Sequence, residues 1–273
     1  MILAAFTWAL TGAALAALPE VSLFSTGAFE GITNDLREAG VRIGERREAE
    51  SPALGQAPPM TEFPVRGIDV SHHQDDIDWA KVATAGLSFA YIKATESDDF
   101  TDERFMANWK GAGAAGLRRG AYHFYDFCKK GEAQAKLFLE TVPVEPAGLP
   151  PVVDLELAGS CRRLPKPAAF KKDFDAFVAA VKTAHGEAPI LYISYEIYDR
   201  YFANSGESLR IWITDFVGRP ALSDKRDWLL WQFSERGRVP GIGGPVDLDV
   251  FNGDRERFAS LGVDSPVLVA SER

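Results

Sequence analysis

PVVDLEL at residues 151–157, followed by KPAAFKKDFDAFVAAVKTAHG at 166–186 and APILYIS at 188–194, is the stretch that decides the fold. The outer segments are short apolar runs. The middle one is amphipathic at helical spacing, with Phe170, Phe174, Phe177, Val178 and Val181 along one stripe. Strand, helix, strand is a βαβ unit, which implies parallel strands joined by a right-handed crossover. Within the first strand side chains alternate faces, so Val153, Leu155 and Leu157 share one side and Asp154 and Glu156 the other. A strand buried on both faces is normally apolar on both. Ionised carboxylates are costly to remove from water without partners, so the pair marks either a solvated face or a polar pocket. The segment alone fits both readings.

The same texture recurs on either side from Val65 onward. RGIDVS (66–71), LSFAYIKAT (87–95) and GAYHFYDF (120–127) are strand-like. Helical patterns lie between them: IDWAKVATAG (77–86), closed by Gly86, DERFMANWKGAGAAG (102–116), and EAQAKLFLETV (132–142), ended by Pro143. YEIYDRYF (195–202) reads as a short helix, after which helices fade. LRIWITDF (209–216), DWLLWQFSE (227–235) and PVDLDVF (245–251) are strand-like and joined by short loops bearing Gly or Pro. About eight strands in this order predict an α/β fold, a TIM-like β/α barrel with irregular last strands lacking full helices. Chemistry in such barrels sits where strands end. Asp69, Lys93, His123, Asp154, Glu156 and Asp247 all lie late in a strand or just after one, which favours the pocket reading.

The 273 residues allow one large domain plus an appendage, and 46% hydrophobic content with 25% charged residues suits a globular core. A net charge of −9 argues against nucleic acid, whose phosphates call for a basic face, and offers no attraction to anionic membrane surfaces. The start, MILAAFTWALTGAALAAL, is apolar, and Ala14-Leu15-Ala16 has the small-x-small cleavage pattern, although no Lys or Arg follows Met1. Residues 1–18 are expected to be a signal peptide or a membrane anchor. Residues 19–64, with GERREAES and the Pro-rich PALGQAPPMTEFP, are expected to be a partly disordered linker. The barrel is expected over 65–265 and a tail over 266–273.

Two cysteines, Cys128 and Cys161, follow the strands carrying His123 and Asp154. Neighbouring parallel strands lie about 4.8 Å apart and their loops leave on one rim, so a disulfide is geometrically reasonable and suits an exported protein.

The segments RGIDVSHHQ, FAYIKATES, GLRRGAYHFYDF, LPPVVDLEL, PILYISY and WQFSERGRVPGIGGPVDLDVF, in that order across about residues 66–252, resemble the family 25 glycoside hydrolases, lysozyme-like N-acetylmuramidases. The resemblance implies a β/α barrel with irregular final strands. It implies that Glu156 is the general acid, with Asp154, Asp69 and Asp247 as accompanying acids. The chemistry agrees: glycoside cleavage needs a proton donor of raised pKa and a second carboxylate near the cationic transition state. Crowded carboxylates raise one another's pKa. Asp154 either orients the 2-acetamido group of muramic acid as an internal nucleophile or, like Asp69, holds a water as general base.

Further candidates are weighed against structural roles. His123 and Tyr125 share a strand face and are sugar contacts or structural residues. Tyr192, Tyr195 and Trp231 offer flat faces for sugar rings or for core packing. Lys93 is a charge partner of the carboxylates or a snorkelled surface lysine, and Gln232 a hydrogen-bonding contact. His72 and His73, if on a strand, point opposite ways and do not share a metal; HExxH and clustered cysteines are absent. The family often has an aromatic residue where His73 stands. The expected protein is therefore an exported, monomeric muramidase of the cell envelope, needing no cofactor or metal, with peptidoglycan glycan strands as its partner. The alternative is a non-catalytic glycan-binding barrel.

Overall fold

The computed structural model describes residues 57–145, 148–157, 161 and 163–262. The proposed signal peptide or anchor, the tail and most of the linker lie outside them. Among the described residues no helix is long and apolar enough to cross a membrane. The end of the expected linker is packed: Phe63 is buried, its ring 5.9 Å from those of Trp228 and Trp231.

Nine strands are described: β1 (Arg66–Val70), β2 (Phe89–Glu96), β3 (Phe100–Thr101), β4 (Arg118–Phe124), β5 (Val152–Leu155), β6 (Ile190–Ile193), β7 (Ile211–Thr214), β8 (Leu230–Gly237) and β9 (Val246–Phe251). Their order is β1-β9-β8-β7-β6-β5-β4-β2, and β1 pairs with β2 to close an eight-stranded barrel, with β3 as a hairpin arm on β2. This is the expected TIM-like barrel. All barrel neighbours are parallel except β9, which runs antiparallel to both β8 and β1. The reason is the short β8–β9 connection, since a parallel return needs a crossover of a dozen or more residues.

The helices before β7 form where the periodicity places them, and a short one after β9 is additional. α1 (Trp79–Val82) is capped by Asp78, whose side chain accepts from the Lys81 amide, and continues as a 3-10 turn to Gly86 at φ 72. α2 (Phe105–Ala114), α3 (Gly131–Thr141), α4 (Pro167–His185), α5 (Tyr195–Tyr201) and α6 (Arg255–Ser260) follow. On α4, Phe170, Phe174, Phe177 and Val181 are buried and Val178 lies at the stripe's edge. Each fully buried side chain of this kind stabilises the fold by roughly 1.5–3 kcal/mol.

Two apolar layers result. One lies between strands and helices; the other fills the barrel from within and includes Phe89, Tyr91, Val152, Trp212, Leu230 and Phe251. Large rings inside require small neighbours: a Cβ on Gly120 would stand 2.2 Å from the Tyr91 ring. The lower end is plugged by Phe258 of α6, 5.5 Å from Phe89 and 5.2 Å from Phe251. The barrel is thus solid below and free to be polar above. Cys128 and Cys161 form a disulfide that ties the loop after β4 to the loop after β5.

Candidate active site

At the upper end the strands surround a cavity of about 400 Å³. Side-chain alternation decides what faces it. β1 contributes Asp69, β2 Lys93, β4 Tyr122 and Phe124, β5 Val152 and Asp154, β6 Tyr192, β7 Trp212 and Thr214, β8 Gln232, and β9 Asp247. Glu156 follows one residue past β5 and lines the same cavity. The register pairs Asp69 with Asp247 and Asp154 with Tyr192, and all four expected acids line the one cavity.

A chain of polar contacts links them. Tyr192 Oη lies 3.3 Å from Glu156 Oε1 and 2.9 Å from Gln232 Oε1, and Gln232 Nε2 donates to Asp69 Oδ2 at 2.8 Å. Asp69 also has Asp249 beside it, on the adjoining strand β9. Asp249 is fully buried one step deeper on β9 and accepts from Trp212 Nε1 at 3.1 Å. Asp154 Oδ1 is buried without a hydrogen-bond partner.

Burial raises every one of these carboxyls. Asp69 is pushed up to about 6, mainly by burial, while its contacts with Gln232 and Asp249 pull the other way. Asp247 rises to about 8, through burial and then the charges of Asp69, Glu235 and Glu156. Asp154 stands well above the carboxylate range through burial and the neighbouring Glu156 and Asp69. Glu156 is raised by burial and restrained by the Tyr192 hydroxyl and the Lys93 charge. Lys93 is a buried cation whose Nζ is 2.6 Å from Glu96 Oε2 and 4.8 Å from the Phe124 ring centroid. It lowers Asp154 and Glu156 through space while bonding elsewhere.

A pH dependence follows. An acid whose folded pKa is raised keeps its proton after the unfolded chain has released it, so stability falls as pH climbs from the unfolded value through the folded one. For Asp69 and Asp247 that window runs from 3.8 to about 6 and about 8 respectively. The melting temperature should therefore be several degrees higher at about pH 5 than at about pH 8, a difference on the order of a few kcal/mol. Asp247→Asn should flatten the slope, and calorimetry across that range checks both. A melting temperature rising with pH would contradict the raised carboxyls.

Four expected sugar contacts lie elsewhere. His123 faces outward opposite Val153, wedged against Phe177 and bonded to Thr95 Oγ1 at 2.7 Å and Gln134 Oε1 at 3.1 Å. Burial pushes its imidazole down to about 4. Tyr125 follows it into the helix layer among Phe170, Phe174 and Phe177. Trp231 faces outward from β8 and donates to Asp215 O at 2.7 Å. Tyr195 Oη donates to Asp215 Oδ2 at 2.8 Å, supporting the loop that places Phe216 on the cavity rim. In each case residue chemistry suggested a ligand, and strand parity or loop packing set another role.

His72 and His73 also depart from expectation. They sit on a 3-10 turn, not a strand, so their rings lie 4.1 Å apart. The His72 ring is bonded to Asp102 at 2.8 Å, and His73 lines the cavity. Ser71 and Gln74 make the capping box of this turn. The residues missed in the sequence are Tyr122, Phe124, Trp212 and Asp249. All are legible from the alternation that exposes Asp154: Tyr122 and Phe124 flank His123, and Asp249 repeats the face of Asp247.

Residues 68–242 match the family described as glycosyl hydrolases family 25. Lysozyme M1 of Streptomyces globisporus is 34% identical over 242 residues, covering 82% of this chain and 81% of that protein. The Escherichia coli K12 protein YegX, itself uncharacterised, is 36% identical over 204 residues, or 73% of this chain and 74% of its own length. A family 25 glycosyl hydrolase structure from Bacillus anthracis superimposes with a TM-score of 0.72 at 35% identity, covering 78% of this chain and 99% of that one. A shared barrel, an ordered set of motifs and an acid-lined mouth leave one conclusion: the chain belongs to glycosyl hydrolase family 25.

Proposed function

We propose that this glycoside hydrolase is a lysozyme-type muramidase, cutting the β-1,4 bond between N-acetylmuramic acid and N-acetylglucosamine in peptidoglycan. The observation carrying the reading is the convergence of Asp69, Asp154, Glu156 and Asp247 on one cavity. The lysozyme relatives supply the substrate class. A pure glycan binder would have no use for so many buried acids, whose desolvation is costly.

Glu156 is the general acid in this reading. Its raised pKa keeps the proton available, and Tyr192 orients the carboxyl. As the C1–O bond breaks, the proton passes to the leaving oxygen, and the carbonyl oxygen of the 2-acetamido group closes on C1. Asp154 orients that group: its unpartnered Oδ1 is an acceptor that the acetamido N–H would satisfy. Water then opens the ring intermediate and returns a proton to Glu156. Lys93 and Gln232 hold the charge balance and the position of the acids, and Tyr192 lines the sugar site. Protein of this kind meets its polymer outside the cytoplasm, and the Cys128–Cys161 disulfide supports export. Whether residues 1–18 are cleaved or anchor the chain, the barrel acts as a monomer at the cell envelope.

Mass spectrometry of fragments released from purified peptidoglycan tests the bond specificity. Muramic acid at the new reducing ends is expected. N-acetylglucosamine there would assign the chain a different glycosidic bond.

A further inference from the structure

We propose that Asp249 is a positioning residue for Asp69: it stands as a neutral carboxylic acid, one oxygen accepting from the Trp212 indole and the other, as a hydroxyl, donating to the Asp69 carboxylate. This rests on the reading of the cleft as the active site. Asp249 is 0% exposed and sits beneath the cavity. Its Oδ1 accepts from Trp212 Nε1 at 3.1 Å, and Oδ2 has no conventional donor. Among the described residues no Lys, Arg or His neutralises it; its charged neighbours are Asp69 and Asp247, both acids.

A buried carboxylate with one neutral donor and two acidic neighbours is untenable as an anion, and protonation removes the conflict. The proton then has the Asp69 carboxylate as its neighbour: Asp69 lies two residues along β1 from Gly67, the register partner of Asp249. The other side of Asp69 is held by Gln232 Nε2 at 2.8 Å. Asp69 is thus gripped by two donors, one from β8 and one from β9, which fix its rotamer and favour its charged form against burial. Trp212 completes the arrangement from the cavity floor, where it is both a wall of the site and the donor that orients Asp249.

The test compares Asp249→Asn, Asp249→Ala and the parent on peptidoglycan, with infrared difference spectra at neutral pH. Asparagine is a permanent mimic of the neutral acid, since its carbonyl accepts from Trp212 and its amide donates to Asp69. It should keep kcat within about threefold of the parent. Alanine should lower kcat by about 10–100-fold with KM little changed, because Asp69 is left loosely placed. A carboxylic-acid C=O band should be present in the parent and missing from Asp249→Asn. Asparagine as impaired as alanine, alanine as active as the parent, or no band lost would each overturn the proposal. If alanine fails to fold, the asparagine and infrared results still decide. Failure of the active-site reading itself shows separately, as cleavage that survives Glu156→Gln.

Discussion

Glu156→Gln is expected to lower peptidoglycan turnover by about 10³-fold or more while leaving glycan binding largely intact. Glutamine keeps the size and the contact to the Tyr192 hydroxyl that Glu156 makes at 3.3 Å, so the cavity and its hydrogen-bond chain should survive. What it removes is the transferable proton. An unassisted sugar alkoxide is a poor leaving group, and in this reading the other acids are placed for other work: Asp154 is taken up with the acetamido group, Asp69 is bonded to Gln232, and Asp247 stands on β9, four strands around the barrel from β5. The loss should fall on kcat, with the dissociation constant for glycan fragments nearly unchanged. Turnover equal to the parent would remove Glu156 from the acid role. Lost binding would assign it to substrate affinity instead.

Asp154→Asn should cost about 10²-fold in kcat. Asp154 is buried, and its Oδ1 lacks a partner in the free protein. In the proposed route the proton that the neighbouring Asp154 and Glu156 carboxyls compete for resides on Glu156, which leaves Asp154 as the anion: its oxygen accepts the acetamido N–H, the carbonyl of the same group is held toward C1, and the positive charge on its nitrogen is balanced. Asparagine can present an amide in place of the acceptor, but it cannot carry the balancing charge. The effect should be confined to sugars with the acetamido group intact, and substrates lacking it should be poor for parent and variant alike. Steady-state kinetics on matched N-acetylated and de-N-acetylated glycans measure this. An Asp154→Asn enzyme with unchanged kcat would place the acetamido group outside its reach.

Much of this was legible in residue order. Asp69, Asp154 and Glu156 are readable because each sits late in or just after a parallel strand, where the barrel gathers side chains regardless of sequence distance; Asp247, expected late in its strand, instead opens β9 and reaches the same mouth because that strand runs antiparallel. His123 and Tyr125 have the chemistry of sugar contacts but face away from the cavity, because the alternation that turns Asp154 inward turns its neighbour Val153, and hence His123, outward. Trp231 and Gln232 divide in the same way: the glutamine faces the cavity and the tryptophan the helix layer. SHHQ is a turn and not strand: Ser71 and Gln74 spell a capping box, and the capped turn brings the two histidine rings together. The direction of β9 was not visible in its own residues, because an alternating strand reads the same both ways; only the short preceding loop determines it.

The central claim, that Glu156 supplies the proton to the leaving group, is tested most directly by leaving-group dependence. Parent and Glu156→Gln should be compared on peptidoglycan and on an aryl β-glycoside of N-acetylmuramic acid whose phenol departs without protonation. The variant should lose the glycan reaction yet cleave the activated glycoside at a rate near the parent's, while Asp154→Asn is impaired on both. Equal loss by Glu156→Gln on the two substrates would contradict it.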